Sequence, residues 1–443
     1  MTPPSPTPPP VAKMPYIVGP PIRHIDDFYG RSAELARFFE IVGGTQSQSL
    51  SVRGLRRVGK TSFLYHTTHP EVIGRYLPNP EQYIIIYIDI SSCRRPSDFY
   101  YRVLQRLHQS LTNIQPVNLW QPSPAEETKL YDVETVLCQF PQKRFVLLID
   151  EFDYMKTEVF GPEFLMELRA AMSMWEYDLA CVTASYWDLY HLGQQVGLPP
   201  TSPFYNIFYP TPLFLPGLDA ETAVSLIQQP AQQANLTFQP QQVEQMVQLG
   251  GTLPFFVQAT AAKWYRLQQG DKLLTSHSLR QQLMVEMTPY FGQWWRHFQP
   301  VEREALLLMA KQQEHGGVAE TAVLPDILYI LYKFGLVVEE RGRLFINGDL
   351  FATWIIEESP QYIDPQTAVS PPTYTPTSLR RALAHYFDLD ELRTLCFDLG
   401  VDFDELPGRS KSEKTRELVQ YWQKRQQLHR LVEAIRYERG AIV

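Results

Sequence analysis

Gly54-Leu55-Arg56-Arg57-Val58-Gly59-Lys60-Thr61 decides the reading of this chain of 443 residues. It follows a short apolar run, Ser49-Leu50-Ser51-Val52, and opens a segment of helical character. Strand, glycine-rich loop and helix in that order surround phosphate oxygens with backbone N–H groups. Gly54 and Gly59 carry no side chain to hold the backbone off the phosphates. Lys60 would set a point charge on the terminal phosphates and Thr61 a hydroxyl on Mg²⁺. Four constrained positions between a strand and a helix are hard to obtain as a chance turn.

About ninety residues on, Phe145-Val146-Leu147-Leu148-Ile149 is an apolar run that ends in Asp150-Glu151. A buried strand there would deliver Asp150 beside the phosphate loop, suited to hold Mg²⁺ with Thr61. Glu151 would then orient and polarise the attacking water, which favours hydrolysis over binding alone. An apolar strand ending in two acids is weak evidence by itself; joined to the first motif it is strong. Lys60, Asp150 and Glu151 are therefore the expected catalytic groups. Thr183 and Ser185, after Leu179-Ala180-Cys181-Val182, either sense a γ-phosphate or satisfy a strand end. Arg169 is a second phosphate charge or a solvated surface group. Arg56 and Arg57 either line the phosphate loop or pair with surface acids.

Working outward, strand-like runs at 49–53, 83–90, 145–150, 179–184 and 211–215 alternate with helical ones, which predicts a parallel sheet covered by helices. Both motifs then lie at C-terminal strand ends, where ligands bind in open α/β sheets. From 216 the pattern turns helical. One helix starts at Asp219-Ala220-Glu221-Thr222, a second runs from Gln239-Pro240-Gln241 to Leu249 before Gly250-Gly251, and a third covers 254–268. This predicts an all-helical lid over 216–286. Over 287–357, helices precede two short strands around Gly342, within 335–346, and together they suggest a winged helix. Such modules often bind DNA, but six Lys or Arg against nine Asp or Glu oppose that use here.

Residues 378–443 hold amphipathic runs at 378–386, 390–399, 412–425 and 428–439 over a small core of Leu383, Leu392, Leu395, Leu418 and Leu431. Twelve basic and eleven acidic residues leave this bundle nearly neutral, and it has no catalytic constellation. Two proline-rich stretches punctuate the chain. Residues 1–15, with Pro3, Pro4, Pro6, Pro8, Pro9 and Pro10, read as an extended tail, and 358–377 as a polyproline-type linker.

A formal charge of −8 and a pI near 5.7 count against nucleic acid as the main partner. The longest apolar runs, such as Ile84-Ile85-Ile86-Tyr87-Ile88, are too short to span a bilayer, and no signal peptide precedes them. Cys93, Cys138, Cys181 and Cys396 lack paired spacing, which supports neither a zinc site nor a disulfide framework. A reducing, cytoplasmic setting is expected.

Tyr16-Ile17-Val18-Gly19-Pro20-Pro21-Ile22, then Phe28-Tyr29-Gly30-Arg31, then Gly54 through Ser62, resembles the start of bacterial STAND-type ATPases, signal-transduction relatives of AAA ATPases. The resemblance covers roughly residues 16–357, and its specificity lies before residue 155. It implies ATP and Mg²⁺ held by Gly54, Arg57, Gly59, Lys60, Thr61 and Ser62, with Gly30 and Arg31 against base and sugar. Gly250-Gly251-Thr252-Leu253-Pro254 looks like the lid's Gly-Gly-x-Pro motif, one residue longer, whose proline packs on adenine. Residues 379–408 are similar to bacterial death-like, effector-associated domains, which pair with a like domain on a protease or other toxic effector. Family members usually carry long repeat arrays that detect a trigger, and this chain has no period of 20–50 residues.

The expected fold is an α/β P-loop NTPase of the ASCE/AAA type over 16–215, then lid, winged helix and an all-α death-like bundle. The expected function is an ATP-driven switch in bacterial defence or programmed death, recruiting an effector through 378–443, with self-oligomerisation as an option. Two rivals stand beside it: a DNA-binding initiator or remodelling ATPase that uses the winged helix, and a scaffold that holds nucleotide permanently.

Overall fold

The computed structural model describes residues 14–112, 127–155, 159–269, 276–362 and, within 379–435, all but 381–382, 385–386, 409, 426–427, 429 and 432–433. The expected tail and linker fall largely outside these residues, as do parts of the helices expected at 378–386 and 428–439. The chain divides into two compact units, Met1–Tyr362 and Ile363–Val443.

In the first unit, β1 (Leu50–Arg53), β2 (Tyr83–Asp89), β3 (Arg144–Asp150), β4 (Asp178–Ser185) and β5 (Leu213–Phe214) form one parallel sheet in the order β2-β3-β4-β1-β5. These are the five expected strands. The fifth is only two residues long, and just beyond it Leu215 still donates its N–H to the Arg53 carbonyl at 2.8 Å.

Successive side chains alternate across a strand, so each face has its own set. Leu50, Val52, Val146, Leu148, Val182 and Ala184 share a core with α1 (Ser32–Val42), α2 (Lys60–Thr67) and α3 (Pro70–Tyr76). Ile84, Ile86, Ile88, Phe145, Leu147, Ile149 and Cys181 face α4 (Pro96–Thr112), α5 (Leu130–Leu137), α6 (Pro162–Ala171) and α7 (Leu189–Gln195). This parity later decides which strand ends reach the site.

After β5 come α8 (Ala220–Gln233), α9 (Pro240–Gly250), α10 (Pro254–Gln268), α11 (Ser276–His297) and α12 (Pro300–Gln312). Asp219 caps α8 by accepting the Thr222 N–H at 2.8 Å, as its position before the acidic first turn requires. The 22-residue α11 runs straight through position 286/287, where a lid boundary was expected. Its stripe Leu279, Leu283, Met287, Phe291, Trp294 and Trp295 recurs every three or four residues and is buried along its length, so no break in the chain is needed there.

A second, antiparallel sheet has the order β6-β8-β7, from β6 (Val318–Ala319), β7 (Val337–Glu340) and β8 (Arg343–Ile346), with α13 (Pro325–Lys333) before the hairpin and α14 (Asp349–Glu357) after it. The hairpin lies where the sequence places it. β6 was not expected, since two residues are too few to carry a period-two signal.

Asn347, after β8, bolts this region to the turn between α9 and α10. It accepts the Thr252 N–H at 3.0 Å and donates to Thr252 Oγ1 at 3.0 Å and to the Gly335 carbonyl at 2.7 Å. Gly251 packs so closely here, at φ +71°, that a Cβ would fall 2.6 Å from the Asn347 carbonyl oxygen.

In the second unit, helices Leu389–Asp398 and Lys411–Lys424 each open with a capping box, Asp388 with Glu391 and Ser410 with Glu413. The five expected core leucines are all buried, together with Phe387, Trp422 and Ile435. Lys414 spends its charge inside, donating to the carbonyls of Phe403 at 2.8 Å and Leu406 at 2.6 Å. Among the described residues no helix is long and apolar enough to cross a membrane.

Candidate nucleotide site

The loop between β1 and α2 closes at Gly54, where a Cβ would meet Val58 Cγ1 at 2.6 Å. At its other end Gly59 sits at φ +99° as the N-cap of α2, and a Cβ there would meet nothing within 4 Å. No side chain caps this helix start, so its first amides are available to an anion. Lys60 Nζ donates to the loop's own carbonyls, Gly54 at 2.9 Å and Leu55 at 3.1 Å. Burial lowers the Lys60 pKa, while the carboxylates of Asp153, Asp150 and Glu151 oppose that shift.

Thr61 Oγ1 donates to Asp150 Oδ2 at 2.7 Å, and the Tyr87 hydroxyl donates to the same oxygen at 2.8 Å. Asp150 follows the parity of Val146 and Leu148 and so emerges on the α2 side of the sheet, 1% exposed. Glu151 turns at φ +54° and donates its N–H to Asp150 Oδ1 at 2.9 Å. Burial raises the Glu151 carboxyl pKa; Asp150 adds to this, and Lys60 and Arg56 oppose it. A hydroxyl and a carboxylate already in contact, at a loop open to anions, suit a Mg²⁺ that completes its shell with phosphate oxygens and water. Thr61 and Asp150 would hold it.

A cavity of about 510 Å³ lies against these groups, within the usual range for small-molecule sites. Arg31, Arg57, Gly59, Lys60, Thr61, Ser62, Glu151 and Pro254 all line it. So do Ile17, Gly19, Pro20, Pro21 and Ile22, a strap tied down by Ile22 N–H donating to Ser62 Oγ at 3.0 Å.

Other expected residues lie outside the lining or, like Arg31, are held by neighbouring groups at its edge. Thr183 and Ser185 share the parity of Cys181, so they face away from α2 and do not line the cavity. The Thr183 hydroxyl is buried with no partner among the described residues, and Ser185 Oγ donates to the Trp187 carbonyl at 2.7 Å. Arg169, on α6, is also outside the lining. Gly30 packs on Thr222 rather than into the cavity. Arg31 is 93% buried, and its guanidinium is spent on the Pro216 carbonyl at 2.5 Å, the Val58 carbonyl at 3.4 Å and Glu34 at 3.1 Å. It braces the phosphate loop against the end of β5.

Among the described residues Arg57 meets no acid. At φ +70° it donates to the Gly19 carbonyl at 2.7 Å and the Tyr290 hydroxyl at 3.2 Å, and lies 5.0 Å from the ring centres of Phe255 and Tyr290. Arg56 donates to the Tyr154 hydroxyl at 3.2 Å, and its carbonyl accepts from Trp294 Nε1 at 3.2 Å. The phosphate loop is thus gripped from above by α10 and α11.

Asp153 and Gln258 are among the lining residues that escaped the sequence reading. Asp153, delivered by the single turn Phe152–Tyr154, accepts the N–H groups of Tyr186 at 2.7 Å and Trp187 at 3.1 Å. A third acid soon after Asp150-Glu151 was its only signal. Gln258, one turn after Pro254 on α10, accepts the Ile17 N–H at 2.9 Å.

A parallel sheet with a glycine-rich loop after β1 and an acid pair after β3 defines a P-loop NTPase. The family model described as novel STAND NTPase 1 matches residues 22–288, and the chain belongs to that family. A second model, effector-associated domain 7, matches residues 379–440. Among solved structures, the Walker-type ATPase PABY2304 of Pyrococcus abyssi is similar at TM-score 0.50 and 16% identity, over 76% of this chain and 98% of that one. The ORC2 protein of Aeropyrum pernix, in ADPNP–ADP complexes, is more loosely similar, at TM-score 0.42 and 14% identity over 80% and 97%. These likenesses concern the fold. Comparison with curated proteins yields no match.

Proposed function

We propose that this NTPase is an ATP-hydrolysing switch whose nucleotide state governs presentation of residues 378–443 to an effector, in bacterial defence or programmed-death signalling. The observation that carries it is the Thr61–Asp150 contact of 2.7 Å behind a cavity lined by Lys60, Thr61 and Glu151, whose other wall, Pro254, Phe255 and Tyr290, comes from the helices after the sheet. One ligand in that cavity touches both halves of the first unit. Only a ligand that favours one arrangement over the other shifts their equilibrium.

In this reading Lys60 and the α2 amides hold the terminal phosphates, and Thr61 and Asp150 would hold a Mg²⁺ ion, which would supply neutralisation of developing charge. Glu151, ionised, takes the proton of the attacking water. Arg57 carries displacement of the loop to Tyr290 and Phe255. The region 300–357, with helices before a hairpin, is read as a winged helix. Its hairpin mixes Glu339 and Glu340 with Arg341 and Arg343, which suits a protein-packing role better than a grip on DNA.

Phosphate release and capture by residues 378–443 test the proposal together. Lys60→Ala should lose ATP binding and any ATP-dependent capture of partners. Glu151→Gln should keep binding while turnover falls roughly 10²- to 10⁴-fold. Unchanged turnover in the second variant would remove Glu151 from its role, and release limited to one equivalent in the wild type would favour a permanent nucleotide holder.

A further inference from the structure

Gln258 is 92% buried, and its amide is only half used. The Ile17 backbone N–H can only donate, which fixes Oε1 as the half that faces it, at 2.9 Å. The other half, the Nε2 amino group, has no hydrogen-bond partner among the described residues, yet it is not sealed in the interior: the residue lines the cavity. Its neighbours in the lining include the apolar side chains of Ile17, Leu218, Leu226 and Pro254. Such walls suit a flat base, and a donor left unpaired among them is costly unless a ligand supplies an acceptor.

We infer that Gln258 is the specificity-determining residue of this cavity and that it selects adenine over guanine. The inference rests on the nucleotide reading of the cavity given above. An amide offers a donor and an acceptor side by side. Adenine presents the matching pair, a ring-nitrogen acceptor beside an exocyclic amino donor. Nε2 donates to the ring nitrogen, and the second lone pair of Oε1 accepts from the amino group while the first stays with Ile17. Guanine places a carbonyl oxygen where adenine has its amino group, so two acceptors would face each other. Because the same amide holds the strap at Ile17, reading the base and closing over it are one event.

Calorimetric titration of the whole chain with Mg²⁺ and ATP, GTP or purine riboside triphosphate, which lacks the amino group, tests this. ATP should bind about ten- to a hundredfold tighter than GTP, with the purine analogue between them. Gln258→Glu keeps an acceptor for the Ile17 N–H but loses both amide donors, and it should collapse the ATP-to-GTP ratio. Equal binding of ATP and GTP by the wild type, or an unchanged ratio in Gln258→Glu, would overturn the role of Gln258 and leave the cavity reading standing. Failure of every triphosphate to bind the wild type, or full ATP affinity in Lys60→Ala, would overturn the cavity reading and this inference with it. The wild-type ratio needs no variant, so a poorly folded Gln258→Glu cannot shield the idea.

Discussion

Thr183 shows how much one residue's orientation decides. Its backbone lies in β4, between the strands that carry the phosphate loop and Asp150, but its side chain faces the other core, and its buried hydroxyl has no partner among the described residues. Thr183→Val should therefore stabilise the first unit by about 1 kcal/mol, because the unpaid desolvation of the hydroxyl disappears, and should leave ATP affinity unchanged. Chemical denaturation with a parallel titration checks both halves, and a large loss of affinity would reinstate a sensing role. His66 makes a second residue-scale case. It stacks on Phe28 with ring centres 4.0 Å apart, and burial, with His69 and Arg75 adding, lowers its pKa to about 4. The unfolded chain takes this proton near the ordinary value of about 6.5, so protonation favours unfolding as the pH falls from there towards 4. His66→Phe keeps the stack and removes the proton. The wild type should lose on the order of 1–3 kcal/mol more than the variant between pH 7 and 4.5.

Among elements, the junction at Asn347 couples the turn before α10 to the hairpin. Three hydrogen bonds converge on one buried amide, and Pro254, two residues beyond Thr252, lines the nucleotide cavity. Asn347→Ala would strand the Thr252 N–H and the Gly335 carbonyl in the interior, at a cost of roughly 2–4 kcal/mol. ATP affinity should fall as well, since the turn that sets Pro254 loses its anchor. A variant that melts early but binds ATP normally would show that the junction serves stability alone. The same turn explains the extra residue in Gly250-Gly251-Thr252-Leu253-Pro254. Leu253 is buried in the core shared with the sheet, and Pro254 still reaches the cavity.

For the molecule as a whole, the described residues form separate cores: none of them beyond Tyr362 belongs to the cores of the first unit, and the core of the second is drawn from residues 379–435. Thermal unfolding should then show two transitions. ATP at a hundred times its Kd should stabilise the transition of the larger unit by about 2.7 kcal/mol and leave the smaller one in place. A single transition that moves as one with ATP would show the units to be thermodynamically coupled.

What depends on neighbouring residues could be read from the chain alone. Glycines beside Lys60-Thr61 specify a loop, Asp219 and Ser410 announce helix starts, and apolar runs mark the five strands, because dihedral freedom, capping and burial act within a few positions. Lys60, Thr61, Asp150 and Glu151 were legible for that reason. The tertiary structure decided the rest. With both faces of the sheet covered, the middles of β3 and β4 are unbroken apolar runs, Phe145–Ile149 and Leu179–Val182, so the pattern could not say that Asp150 faces α2 while Thr183 faces away. Arg57 meets Tyr290 across 233 positions, and Ile17 meets Gln258 across 241. Such pairings exist only once the chain has collapsed around a common core, which is why the walls of the cavity, unlike its phosphate loop, left no local trace.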